Sequence, residues 1–154
     1  MKNNYILNPE QANIIWKTSW LILMVSIYGV YRNYYDMAIC PFCIFLTSIN
    51  YWRKQDSWKR NLDIFCVRVG VIYTTIRSYN SDFCLLYNLF VYSGIFSYLM
   101  SKYYYSKQKY WLSTYCHLML HIFGNVANII LYSGYISPLN ENQIILYFIK
   151  YIKN

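Results

Sequence analysis

Long apolar runs separated by short charged segments most constrain what this 154-residue chain can fold into. Hydrophobic residues make up 57% of the sequence and charged residues only 13%, against about 25% charged residues in soluble proteins. A soluble fold of this length cannot bury so much apolar surface, whereas a bilayer accommodates apolar helices of about 20 residues. The pattern predicts one integral membrane domain, residues 1–154, with an all-α polytopic transmembrane helical bundle.

Five apolar runs are candidates for membrane-spanning helices. We expect these spans at about residues 12–31, 37–52, 62–75, 83–100 and 110–134. The third run is the least apolar, because it contains both Asp63 and Arg68. The stretch at about 141–153 places isoleucines and a phenylalanine on one helical face but is too short to cross a bilayer. It therefore predicts a C-terminal interfacial amphipathic helix.

The net charge of +8 comes mostly from segments between the apolar runs. This placement is typical of topology signals and argues against a nucleic-acid surface, so the expected partners are membrane lipids. With five spans, the N-terminal tail, the loop at 53–61 and the loop before residue 110 lie on one side. That side carries eight lysines and arginines, and the other carries four. The positive-inside rule predicts that the N-terminus and loop 53–61 are cytoplasmic.

The only two histidines, His117 and His121, lie four residues apart within the fifth run. Residues at this spacing share one face of a helix. Ionisable side chains are costly inside a bilayer, so each of them indicates a functional site. Ser113 and Asn125 fall on the same face, and a polar face of this length must meet other helices or water, because lipid cannot satisfy it.

Two further polar residues flank loop 53–61. Ser48 lies near the end of the second run, and Asp63 near the start of the third. The expected topology places this loop on the same side as the loop that precedes the two histidines. Four polar residues from three helices are therefore expected to converge near one side of the membrane.

The spacing of these residues resembles that of the alkaline ceramidases and related membrane hydrolases of the CREST superfamily. The family pattern is S-x3-H-x10-D followed by a later H-x3-H, and Ser48, Asp63, His117 and His121 fall on it. The resemblance implies a zinc-dependent hydrolase acting on an amide or ester bond of a lipid. Ser48 and Asp63 would be the catalytic residues that support the metal-bound water and the transition state.

The position of the family's first histidine is Trp52 in this chain, and tryptophan is not a usual zinc ligand. Catalytic zinc normally takes three protein ligands. Either Asp63 joins His117 and His121 as a direct metal ligand, or the chain is an inactive relative with an incomplete metal site. The chain also has two spans fewer than the seven that are usual in the family.

Three other interpretations are open at the level of sequence. The histidines can simply form hydrogen bonds between helices, as buried polar groups in membrane proteins do. The motif Cys40-Pro41-Phe42-Cys43, in a chain with five cysteines, can indicate a membrane thiol-redox protein, although buried inert thiols are also common. The abundance of tyrosine is also compatible with a non-enzymatic membrane scaffold or assembly protein.

Overall fold

The structure, a computed structural model, describes residues 7–138, and these form five α-helices joined by short turns. The helices are α1 (Pro9–Tyr31), α2 (Tyr35–Arg53), α3 (Ser57–Ser78), α4 (Cys84–Ser106) and α5 (Tyr110–Ser133). Each helix covers one of the predicted apolar runs, so the all-α class is confirmed. The interfacial helix predicted at about 141–153 lies outside the described residues.

The helix α3 begins earlier than the sequence indicated. Its first residue is Ser57, whereas the predicted span began at residue 62, because the charged residues Lys59 and Arg60 are helical rather than part of a loop. Asp56, with extended backbone dihedral angles, occupies the N-cap position of α3, and its carboxylate lies 3.5 Å from Lys59 Nζ. The loop predicted at 53–61 is therefore reduced to the connection at 54–56.

Three of the helices, α1, α4 and α5, are long and apolar enough to cross a membrane. Large apolar side chains cover the outer surface of the bundle, including Met24, Leu85 and Phe96, which are 66%, 86% and 64% exposed. Such a surface is unfavourable in water and favourable against lipid tails. The described residues therefore have the character of a membrane protein.

The helices form a ring in the order α3, α2, α1, α5 and α4, in which α1 packs against both α2 and α5. The helix α3 packs against α2, and α4 packs extensively against α5. The helices α3 and α4 have only sparse contacts with each other. The bundle is consequently less tightly packed between α3 and α4 than anywhere else along its circumference.

One end of the bundle carries the start of α1 and the connections at 54–56 and 107–109, and we call it the basic end. Here the side chain of Gln55 joins two segments: its Oε1 accepts from the Leu7 N–H at 3.0 Å, and its Nε2 donates to the Leu7 carbonyl at 3.1 Å. The N-terminal segment, the α2–α3 connection and the α4–α5 connection thus lie at the same end, as the order of the spans predicted.

The opposite end is joined by an ion pair between a buried arginine and an exposed aspartate, which sequence analysis did not anticipate. Asp36 and Arg77 were expected in loops, but they lie in the first turn of α2 and the last turn of α3. Arg77 Nε donates to Asp36 Oδ2 at 3.0 Å, and a second guanidinium nitrogen donates to the Ser137 carbonyl at 2.7 Å. Tyr73 also donates to Asp36 Oδ2, at 2.7 Å. This network connects α2, α3 and the segment after α5.

Candidate functional site

Asp63 is held by two hydroxyl groups of α2. Ser48 Oγ donates to Asp63 Oδ1 at 2.7 Å, and Thr47 Oγ1 donates to the same oxygen at 2.9 Å. Ser48 is buried, with 1% of its surface exposed. Asp63 is not in an ion pair with any residue in the range 7–138, so its carboxylate is stabilised by these interhelical hydrogen bonds and not by Arg60 or Arg68. The two predicted catalytic residues are therefore in direct contact.

A cavity of about 320 Å³ lies at the basic end, lined by residues of α2, α3, α4 and α5. Asp63 and His117 both line it, and so does Trp52. Ser48 does not line the cavity and contacts Asp63 from behind its wall. His121 lies one helical turn beyond His117 and is not among the lining residues. The structure thus brings Asp63 and His117 to one cavity and places Ser48 and His121 outside its lining.

Trp52 packs directly against His117. Its ring meets the ring of His117 edge to face, with 5.2 Å between ring centroids, and the centroids of His117 and His121 are 5.1 Å apart. Two imidazoles bound to one tetrahedral zinc through nitrogens at about 2.0–2.1 Å have centroids about 5 Å apart. The spacing of His117 and His121 is therefore compatible with a shared metal ion, and the indole of Trp52 packs against the first of these two imidazoles.

The residues present do not fit a catalytic zinc site. An indole N–H can donate a hydrogen bond but has no lone pair to offer a metal. Among residues 7–138, no three His, Cys, Asp or Glu side chains lie together in a way that could hold a metal ion. The three predicted ligands, His117, His121 and Asp63, thus do not form the required group, and the carboxylate of Asp63 is directed to the hydroxyls of α2.

Several buried polar atoms near the histidines have no hydrogen-bond partner in the part of the chain that the structure describes. These atoms are Trp16 Nε1, Trp52 Nε1, His121 Nε2, Asn125 Nδ2 and Asn128 Oδ1. Three of them belong to the polar face of α5 that the sequence predicted. Leaving a buried polar group unpaired costs roughly 1–3 kcal/mol of stability. The unpaired atoms on this face of α5 can still form hydrogen bonds.

Sequence analysis missed several residues of this site. Thr47 donates to the same carboxylate oxygen of Asp63 as Ser48 does. The only sequence signal for this contact was that Thr47 precedes Ser48. Arg60 and Lys102 line the cavity with Tyr51. Arg60 lies three residues before Asp63 and therefore on the same helical face, a signal that was available. The position of Lys102 depends on how α4 packs and has no signal in the sequence.

The two cysteines of the predicted redox motif are free thiols on α2. Cys40 is half-buried and Cys43 is exposed on the outer surface of the bundle. The other three cysteines, Cys66, Cys84 and Cys116, are also free and half-buried. The thiol-redox interpretation stays a prediction.

Comparison of the chain with protein-family models, with curated proteins and with solved structures found no match. The resemblance to the ceramidase-like hydrolases therefore depends on the spacing of Ser48, Asp63, His117 and His121 alone.

Proposed function

We infer that this chain is a multi-pass membrane protein that binds a lipid in the cavity at the basic end and does not catalyse metal-dependent hydrolysis. It would be an inactive relative of the ceramidase-like hydrolases, with all five helices crossing the membrane. One observation carries the proposal. Asp63 and His117 line a single cavity, while Trp52 is seated against His117 where a third zinc ligand is required.

The contacts of Trp52 explain why such a site would bind without hydrolysing. Trp52 belongs to a buried cluster with Tyr51 and Ile15, and its ring centroid is 4.6 Å from that of Tyr51. A large aromatic side chain in such a cluster contributes to stability through burial. A tryptophan in place of the family's histidine would thus remove a zinc ligand and add buried aromatic contacts. The site would then persist as a binding cavity with an apolar wall.

Metal analysis of Trp52→His tests this proposal. We expect purified wild-type protein to contain far less than one zinc per chain and to leave a ceramide substrate intact. Because Trp52 stands at the position of the family's first histidine and packs against His117, Trp52→His should raise the zinc content towards one per chain, and adding His117→Ala should abolish the gain. Elemental analysis by plasma mass spectrometry provides the measurement. Trp20→His is a matched control, since Trp20 is a tryptophan of α1 with 45% exposure that does not line the cavity.

Two results would contradict the proposal. Stoichiometric zinc in the wild type that disappears with His117→Ala would support the hydrolase interpretation instead. Failure of the wild-type protein to retain any lipid, when it is purified in mild detergent and its extract is analysed by mass spectrometry, would remove the binding function.

A further inference from the structure

Two basic side chains line the cavity and form no ion pair with a carboxylate among residues 7–138. Arg60 of α3 and Lys102 of α4 are both exposed. The ion pairs formed among residues 7–138 are Lys59–Asp56 and Arg77–Asp36, and neither pair includes Arg60 or Lys102. The ammonium of Lys102 lies 4.6 Å from the centroid of the Tyr98 ring, which also lines the cavity. This cation–π contact holds the charge of Lys102 against the cavity wall.

The charge of the cavity is positive overall. Its charged lining residues are Arg60, Lys102 and Asp63, and the Asp63 Oδ1 atom already accepts from Ser48 and Thr47. Ser101 and Ser113 also line it, but Ser101 Oγ already donates to the Ser113 carbonyl at 2.9 Å, and the two hydroxyls are hydrogen-bonded to each other at 3.1 Å. The guanidinium of Arg60 and the ammonium of Lys102 are the groups of this cavity that bind phosphate oxygens.

Arg60 and Lys102 lie near the ends of their helices, which is the headgroup region if these helices cross a bilayer. Arg60 is in the first turn of α3, and Lys102 is about one turn before the end of α4. His117 is two turns into α5, which is roughly 5 Å deeper than the two basic residues at 1.5 Å per residue. The cavity therefore has its two cations at the mouth and Asp63 and His117 farther in.

The packing of the bundle favours a ligand that enters from the membrane. The helices α3 and α4 have only sparse contacts with each other, and the cavity lies between them. A volume of about 320 Å³ is at the low end of the range for ligand sites, about 300–1,000 Å³. It suits a headgroup and the adjoining carbons, while the acyl chains remain in the bilayer beside the gap.

We propose that the cavity binds the phosphate-containing headgroup of an anionic phospholipid, with Arg60 and Lys102 as the phosphate-binding residues. This proposal rests on the lipid-binding function inferred above and specifies the class of lipid. The basic end is also the end predicted to face the cytoplasm, where anionic lipids are concentrated.

Lipid titration by native mass spectrometry of the full chain in mild detergent tests the proposal. The probes are dioctanoyl phosphatidylglycerol, dioctanoyl phosphatidylcholine and inorganic phosphate. We expect phosphatidylglycerol to bind about tenfold more tightly than phosphatidylcholine, because the choline cation cancels the charge of the phosphate and is repelled by Arg60 and Lys102, and one charged interaction is worth about tenfold in affinity. Arg60→Gln with Lys102→Gln should remove this preference. Arg60→Lys should retain most of the affinity, since it keeps the charge.

The matched control is the double variant Lys54→Gln with Lys107→Gln. Both lysines are exposed at the basic end and neither lines the cavity, so this variant removes the same charge from the two neighbouring connections. Its affinity for phosphatidylglycerol should change less than twofold. Circular dichroism checks that both double variants keep the helical content of the wild type.

Each contrary outcome has a distinct meaning. An equal loss of affinity in the control variant, or equal affinity of the wild type for the two lipids, would overturn the assignment to Arg60 and Lys102 while the lipid-binding function stands. Displacement of phosphatidylglycerol by millimolar inorganic phosphate would indicate a soluble phosphate ligand and overturn the lipid assignment. Absence of binding to either lipid would overturn the proposed function itself.

Discussion

The hydrogen bonds of the Asp63 carboxylate are set by side chains of a neighbouring helix, α2. By sequence it can be an N-terminal helix acid, a partner of Arg60 or Arg68, or a catalytic group. In the structure its carboxylate accepts from Ser48 at 2.7 Å and from Thr47 at 2.9 Å. Two hydroxyl donors on one turn of α2 thus replace the ion pair, which explains how the charge is tolerated within the bundle.

Ser48→Ala should destabilise the protein because it removes one of the two donors to a half-buried carboxylate. Interhelical hydrogen bonds in membrane proteins contribute roughly 0.6 kcal/mol on average and at most about 1.7 kcal/mol. We expect a loss near the upper value, about 1–2 kcal/mol, since Ser48 is buried and the acceptor is charged. Unfolding in mixed micelles with increasing SDS, followed by circular dichroism, provides the measurement.

Ser93→Ala is the control for this substitution. Its hydroxyl donates to the Leu89 carbonyl of its own helix at 2.9 Å and contributes no bond between helices, so a change within about 0.5 kcal/mol is expected. If the two alanine variants unfold at the same SDS fraction, the bond between Ser48 and Asp63 contributes nothing to stability.

At the scale of the helices, small residues determine how closely α1, α2 and α5 approach. Gly29 of α1 faces both neighbours: an added Cβ would lie 3.0 Å from Ala38 Cβ and 3.0 Å from Tyr132 Cε2. Tyr132 is itself fully buried and donates to the Met37 carbonyl at 3.2 Å. Close packing of this kind is a principal source of stability between membrane helices, because lipid tails leave little hydrophobic driving force.

Gly29→Ala should therefore destabilise the bundle, by roughly 1–3 kcal/mol for overpacking. Gly124 of α5 is the matched control, because an added Cβ there meets no atom within 4 Å. Gly124→Ala should be neutral or slightly stabilising, since alanine favours a helix by up to about 1 kcal/mol over glycine. Thermal unfolding in detergent compares the two variants. Equal melting temperatures would contradict the contact between Gly29, Ala38 and Tyr132.

For the whole molecule, the arrangement of the two ends provides a test of topology. The connections at 54–56 and 107–109 lie at the basic end, and the segment at 134–137 lies at the other, where Gly134 accepts from Tyr34 at 2.8 Å. If all five helices cross the membrane, these two groups of residues are on opposite sides, with the basic end in the cytoplasm.

Single cysteines introduced at Lys54 and Lys107 should be protected from a membrane-impermeant maleimide in intact cells and should react after permeabilisation. A cysteine at Tyr135, which is 63% exposed at the opposite end, should react without permeabilisation. The five native cysteines require the unmodified chain as the background measurement. Reaction of all three sites on the same side would refute the crossing of five helices.

The sequence by itself determined the helices of this protein. Apolar runs of suitable length separated by charged connections are a local signal, and the five observed helices follow them to within a few residues, apart from the earlier start of α3 at Ser57 and the later end of α4 at Ser106. The order of the spans likewise indicated that the N-terminal segment and the 54–56 and 107–109 connections share one end. Local helix propensity and hydrophobicity are sufficient to predict where the helices lie and which connections share an end, because neither property depends on which helices are neighbours.

Only the tertiary structure decided which polar side chains meet. The family spacing anticipated the pairing of Ser48 with Asp63, but the edge-to-face contact of Trp52 with His117 and the position of Lys102 depend on the rotation and order of the helices. The same holds for the pair of Arg77 and Asp36, which are 41 residues apart in the chain. Contacts between helices depend on packing across the whole bundle, and hydrophobic periodicity specifies which residues are apolar without specifying their partners.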